Sequence, residues 1–196
     1  MTAPEVDALG FHVGLVSHDA VKSAEAYQRL LGGTFKIWET EKPAPSAIDP
    51  SFEDTSLRIA YGRYAGFTLE IIQVVSGYGH YAKWLEEHGE SVQHIGFWVP
   101  DVREATRAAL VQGARLRSAS MSREFVATSE INELPVETVV EALLPGTVHL
   151  GYTSASVELE FVGPLTAEVL TRAFGDDLPD IMTPSPWTTG PQPGPE

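Results

Sequence analysis

Apolar and polar positions alternate along Leu9–Val16 with the period of two expected of a half-buried strand. The segment Ala20–Leu31 then places Ala24, Tyr27, Leu30 and Leu31 at helical spacing behind an Asp19 N-cap, and Gly32-Gly33 ends that helix. Alternation resumes in Thr34–Thr40, which predicts a second strand. Ser56–Tyr64 and Phe67–Val75 predict two more, joined by a turn at Ala65-Gly66, and Glu41–Asp54 reads as a proline-containing polar loop before them. The first half therefore reads β-α-β-β-β.

After a connector, Gly77–Gly89, predicted helical over Tyr81–Glu87, the same pattern starts again. Val92–Val99 reads as a strand, Asp101 caps a helix over Val102–Val111, and Gly113 ends it as Gly32 ends the first. Strands over Arg115–Ser120, Thr147–Tyr152 and Ser156–Val162 complete a second β-α-β-β-β, interrupted by Met121–Gly146, which is predicted partly helical over Pro135–Leu144. The repetition reaches residue identity: Phe11-His12-Val13-Gly14-Leu15-Val16 returns 82 positions later as Gln93-His94-Ile95-Gly96-Phe97-Trp98. That interval is too long for a solenoid and implies a duplicated supersecondary unit with its two histidines in pseudo-symmetric places. One domain, residues 1–163, is expected from modules over 8–76 and 91–163. A helical extension over 164–183, with a short helix over Pro164–Phe174, and a proline- and glycine-rich tail over 184–196 follow.

With 196 residues, 43% of them hydrophobic, the chain can bury a substantial core. Its 27 acidic residues against 13 lysines and arginines give a formal charge of −14, which repels phosphate backbones and anionic lipid and argues against nucleic-acid binding. No apolar run approaches the roughly 18 residues of a membrane span, and the N-terminus has no basic segment followed by an apolar one. The expectation is a cytoplasmic protein acting on a small molecule. There is no cysteine, so a metal would have to be held by histidine and carboxylate.

On its strand His12 shares a face with Gly14 and Val16, and His94 shares one with Gly96 and Trp98. Each glycine leaves room beside an imidazole. The last strand of each half carries carboxylate in an apolar run: Glu70 in the first, Glu158 and Glu160 in the second. A buried carboxylate normally pairs, protonates or binds a cation. Two histidines and two glutamates converging from four strands would form a nitrogen–oxygen site with open positions, suited to iron, manganese, cobalt, nickel or zinc. Glu158 and Glu160 share a face, so a two-residue slip in register exchanges them. His18 and His88 read most simply as solvated, His80 lies in the connector, and His149 either lines a cavity or faces water.

Three stretches carry a family resemblance. They are His12-Val13-Gly14-Leu15-Val16 with Tyr27-Gln28-Arg29-Leu30-Leu31-Gly32, the segment Ala82–Val102, and the closing Glu160-Phe161-Val162-Gly163-Pro164. Over Leu9–Pro164 the chain resembles the vicinal oxygen chelate superfamily, which includes glyoxalase I, methylmalonyl-CoA epimerase, extradiol dioxygenases and bleomycin-resistance proteins. The resemblance implies an α+β fold in which two βαβββ modules form a curved mixed sheet around a central cavity. It also implies a divalent metal held by His12, Glu70, His94 and Glu160, the Glu-x-x-x-Pro ending favouring Glu160. Ala82–Val99 is most similar to methylmalonyl-CoA epimerase, although that enzyme has glutamine where Glu70 stands and a catalytic glutamate where this chain has Leu57 or Arg58. Glyoxalase I shares the His-Glu-His-Glu set, but Tyr152–Ser156 replaces its aspartate–proline turn.

The function implied is a metal-dependent isomerase or lyase that binds a carbonyl or enol substrate through its oxygens and stabilises an enolate-like intermediate. Glu70, Glu160, Glu158 or Glu39 would serve as base, with Tyr61, Arg58, Trp98 and His149 shaping the cavity. Two other activities of the superfamily are alternatives: an iron-dependent dioxygenase, and metal-free binding of an antibiotic-like small molecule. Many members are homodimers, and the same is expected here.

Overall fold

Asp19 and Asp101 occupy the same step in the two halves, each turning an extended strand into a helix. The Asp19 side chain accepts from the backbone N–H of Lys22 at 3.0 Å. The Asp101 side chain accepts from those of Arg103 and Glu104 at 2.8 and 3.1 Å. A computed structural model describes residues 6–40, 55–64, 67–121, 130–152 and 157–178, with Pro186. Its elements in chain order are β1 (Leu9–Val16), α1 (Ala20–Leu31), β2 (Phe35–Glu39), β3 (Ser56–Tyr64), β4 (Phe67–Ser76), α2 (His80–His88), β5 (Ser91–Trp98), α3 (Val102–Val111), β6 (Arg115–Met121), α4 (Val136–Ala142), β7 (Leu143–Gly151), β8 (Glu158–Val162) and α5 (Pro164–Phe174). The predicted loop Glu41–Asp54, the turn Ala65-Gly66, residues 122–129 and 153–156, and the tail apart from Pro186 lie outside the described residues.

The eight strands form one curved, unclosed sheet in the order β2-β3-β4-β1-β5-β8-β7-β6. The duplicated strands β1 and β5 run antiparallel at its centre, and each is flanked by the last strand of its own half in a parallel pair, β1 with β4 and β5 with β8. The fold is thus the expected pair of βαβββ modules.

Small residues let the helices lie close on one face. Ala20 and Ala24 of α1 pack on Ala60, Leu69 and Ile71, and Ala105 and Ala109 of α3 pack in a larger cluster with Leu116, Val148, Leu150 and Phe161. On the other face Leu57, Ile59, Tyr61, Ile72 and Trp98 pack with Ala167 and Leu170 of α5. Strand alternation then directs the side chains between these apolar blocks toward the concave centre.

The largest departure from the sequence expectation lies where α4 passes into β7. The helix expected over Pro135–Leu144 stops at Ala142, and Leu143 already pairs with Met121, so β7 begins ahead of the predicted Thr147. Leu144 precedes Pro145, whose ring disfavours the helical region for the residue before it. The carbonyl of Leu143 is instead satisfied by the Arg103 guanidinium, at 2.6 Å from Nη2 and 3.2 Å from Nε. Among the described residues no helix is long and apolar enough to cross a membrane.

Candidate metal centre

The β1–β5 register sets His12 opposite Gly96 and Gly14 opposite His94. Each histidine therefore lies across the glycine of the other repeat. A Cβ at Gly14 would fall inside the His94 ring, and one at Gly96 inside the His12 ring. The space left by each glycine thus serves the partner imidazole, not the one on its own strand. On the outer side of each central strand, Gly14 pairs with Glu70 and Gly96 with Glu160, while His12 pairs with Thr68 and His94 with Glu158. Glu70 and Glu160 are consequently structural counterparts, and Glu158 is the counterpart of Thr68.

These registers bring one ligand atom from each of His12, Glu70, His94 and Glu160 to within 4.8 Å of one another, all four residues being buried. The two imidazole Nε2 atoms are 2.7 Å apart. His12 Nε2 lies 3.1 Å from Glu70 and 2.9 Å from Glu160, and His94 Nε2 lies 3.1 and 3.5 Å from the same carboxylates. One N–H cannot serve every acceptor around each ring. A cation bound at about 2.0–2.2 Å to each atom would set ligand–ligand edges of about 2.8–3.6 Å, close to the contacts observed. The two-nitrogen, two-oxygen donor set suits a first-row transition metal.

Neighbours hold the four side chains in place. The Tyr61 hydroxyl donates to Glu70 Oε1 at 2.7 Å, leaving Oε2 for the cluster. His94 Nδ1 lies 2.5 Å from Gln93 Oε1, a contact that places the proton on Nδ1 and the lone pair on Nε2. Strict alternation would send Gln93 to the opposite face from His94. A bulge in the β1–β5 pairing, where Gly14 pairs with His94 but Leu15 with Val92, brings it alongside instead. Its repeat equivalent, Phe11, occupies the matching irregularity between Gly10 and His12 and stacks on Trp98 at 3.9 Å. Gln93→Leu is expected to weaken cation affinity by about 10–100-fold without removing a ligand. Titration of the metal-free variant checks this, and unchanged affinity would dismiss Gln93 as the support of His94.

Without a cation the cluster is an ion-pair network. Burial pushes the His12 imidazolium down, but Glu70 and Glu160 outweigh it and raise its pKa to about 9. Burial pushes Glu70 up, yet His12 and His94 beside it bring it down to about 2. Glu160 is likewise drawn well below the usual carboxylate range, against its burial, by His94, His12 and His149. The raised histidine stabilises the fold fully below its ordinary 6.5, and that contribution is lost as pH rises through about 9. The depressed Glu70 stabilises above its ordinary 4.5, and that contribution is lost as pH falls through about 2. The melting temperature of metal-free protein is therefore expected to be highest between pH 4.5 and 6.5 and to decline toward pH 9. A melting temperature constant from neutral pH to 9 would contradict this network.

Other expected site residues divide. His149 comes to the cluster, its Nε2 being 3.3 Å from Glu160 Oε1, and Tyr61 and His149 are repeat counterparts through their pairing with Glu70 and Glu160. Trp98 is 1% exposed and packs in the core with Val162 and Leu170. Arg58 and Glu39 do not reach the cluster. They form a 2.7 Å ion pair on neighbouring strands, Arg58 alternating to the face opposite Tyr61. His18 and His88 are exposed, as expected. Sequence reasoning gave His80 little weight, but the N-terminus of α2 sets its Nε2 2.9 Å from Glu158. Cavities of about 370 and 340 Å³ are lined by none of these residues, so the chemistry sits apart from those clefts.

The family model of the glyoxalase/bleomycin resistance protein/dioxygenase superfamily matches residues 11–132. The fold is similar to that of a hypothetical protein, BH1468, from Bacillus halodurans, with 18% identity, a TM-score of 0.51 and coverage of 80% of this chain and 94% of that one. It is similar to methylmalonyl-CoA epimerase from Mycobacterium tuberculosis, with 18% identity, a TM-score of 0.52 and coverage of 84% and 92%. It is also similar to a mutant 4-hydroxymandelate synthase from Streptomyces coelicolor, with 17% identity, a TM-score of 0.53 and coverage of 80% of this chain and 48% of the synthase. No curated protein matches the chain.

Proposed function

Because this chain belongs to the glyoxalase/bleomycin resistance protein/dioxygenase superfamily, we propose that it is a metal-dependent isomerase or lyase acting on a small carbonyl or enol substrate. The observation that carries this reading is the convergence of His12, Glu70, His94 and Glu160 from four strands onto one point. These four residues would hold iron, manganese, cobalt, nickel or zinc. When bound, the cation supplies Lewis acidity that stabilises negative charge developing on a substrate oxygen.

The chain's own groups supply the proton transfers. Glu70 and Glu160 approach the cluster from the two halves, so a substrate held at the cation would be reached by each from a different side. Each carboxylate meets a polar group at its outer oxygen: the Tyr61 hydroxyl donates to Glu70 Oε1, and His149 Nε2 lies 3.3 Å from Glu160 Oε1. One carboxylate takes a proton from the C–H beside the carbonyl and the other returns it, a pairing suited to epimerisation. Burial excludes water from both.

The test is proton–deuterium exchange at acidic C–H positions of carbonyl compounds, followed by NMR alongside an oxygen electrode, using full-length protein loaded with each metal in turn. Metal-dependent exchange without oxygen uptake supports the proposal. Oxygen consumption by the iron form would instead make the protein a dioxygenase. Tight small-molecule binding without metal or exchange would make it a binding protein.

A further inference from the structure

Beside the first cluster lies a second set of side chains. His80 at the start of α2, His149 on β7 and Glu158 on β8 offer three ligand atoms within 4.8 Å of one another. His149 and Glu158 are buried, and the His80 side chain is 13% exposed.

The contacts around these residues leave a buried imidazole nitrogen without a partner beside a carboxylate. His149 Nε2 lies 3.3 Å from Glu160 Oε1 and 3.2 Å from the Tyr81 hydroxyl, and with its proton on Nε2 the ring donates to a carboxylate that can only accept. In that tautomer Nδ1 carries the lone pair. It is buried, has no hydrogen-bond partner, and stands 3.7 Å from Glu158 Oε2. His80 Nε2 lies 2.7 Å from Gln93 Nε2 and 2.9 Å from the same Glu158 oxygen. The Gln93 amide is oriented by its Oε1, which lies against His94 Nδ1, so its nitrogen is the donor toward both Glu158 Oε2 and His80 Nε2. The unpartnered His149 Nδ1, the His80 Nε2 lone pair and an ionised Glu158 oxygen thus converge, and a cation bound among them would satisfy His149 Nδ1 and replace the Gln93 contact to His80.

We propose that His80, His149 and Glu158 hold a second divalent cation, of the zinc or cobalt class, next to the first. Two imidazoles and one carboxylate favour these ions over magnesium or calcium, which prefer all-oxygen shells. The outer partners that orient metal ligands are already present. Gln93 donates to Glu158 Oε2 at 2.7 Å while bracing His94, and Glu160 accepts the far N–H of His149. The two sites therefore share their supporting hydrogen bonds. This inference makes no assumption about the reaction and shares with the first cluster an ionised Glu160 and the orientation of Gln93.

The test is metal stoichiometry. Full-length protein stripped with a chelator is dialysed against saturating zinc, and the bound ion is counted by elemental analysis in the wild type, His80→Ala, Glu158→Gln and His12→Ala. His80→Ala removes a partly exposed side chain at a helix start, and its fold is checked by circular dichroism and melting. The wild type is expected to bind two ions per chain, and His80→Ala and Glu158→Gln one each. His12→Ala, which disrupts only the first cluster, should retain an ion that is lost on adding His80→Ala. A wild-type count of one or none that His80→Ala leaves unchanged would overturn the second site. In that case loss of an ion in His12→Ala would still uphold the first.

Discussion

Gly96→Val is expected to abolish cation binding at the first cluster and lower the melting temperature by several degrees, although it replaces no ligand. A Cβ at Gly96 would occupy the His12 ring, so the valine must displace the imidazole from the point where the four strands converge. Overpacking of this kind costs about 1–3 kcal/mol, and in a chain of this size each kcal/mol corresponds to about 2–4 °C in melting temperature. Gly10→Ala is the control, because a Cβ there would meet the Phe97 ring at an ordinary 3.5 Å. The control should retain full metal content and near-native melting, measured by elemental analysis and calorimetry. Normal metal loading by Gly96→Val would mean that His12 is not held where the register puts it.

The second large effect is expected from Glu70→Gln, which keeps the side-chain shape and the hydrogen bond from Tyr61 but removes the charge. In the metal-free protein His12 loses one of its two carboxylate neighbours inside a buried network. Breaking a buried ion pair typically costs about 3–5 kcal/mol, and the remaining Glu160 should hold the loss near the lower end. Cation affinity should fall by more than the roughly 10–100-fold that loss of an outer partner costs. Chemical denaturation with and without metal reads both quantities. Wild-type stability together with wild-type affinity would show that Glu70 belongs to neither the network nor the metal shell.

These two substitutions bear on what the sequence makes visible. The duplication is legible because the same chemistry returns at a fixed interval: His12 and His94, Gly14 and Gly96, and the capping Asp19 and Asp101 are each 82 positions apart. Period-two alternation then places each histidine on one face with its glycine, and the apolar run around Glu70 marks that carboxylate as exceptional. The choice between Glu158 and Glu160 is not legible from alternation, since both share a face. It depends on β8 pairing Gly96 with Glu160, a non-local register that only the folded sheet displays.

Two contributors escape sequence reasoning for different physical reasons. Gln93 sits beside His94 because of a bulge, and a local break in pleating leaves no mark in the apolar pattern. His80 belongs to a connector helix, and which strands that helix docks against is a tertiary outcome that its own sequence does not encode. Arg58 and Glu39 show the converse. Charged residues on strands invite assignment to a cavity, yet Arg58 is three residues from Tyr61 and so must face the other way, where the pair meets solvent.

The most direct test of the account is a crystal structure of the full-length protein grown with cobalt(II), with anomalous data collected at the cobalt edge. The account predicts a peak bonded at about 2.0–2.2 Å to Nε2 of His12 and His94 and to one oxygen each of Glu70 and Glu160. Cobalt-replete crystals with no peak at that point, the two imidazoles remaining in direct hydrogen-bonded contact, would contradict it.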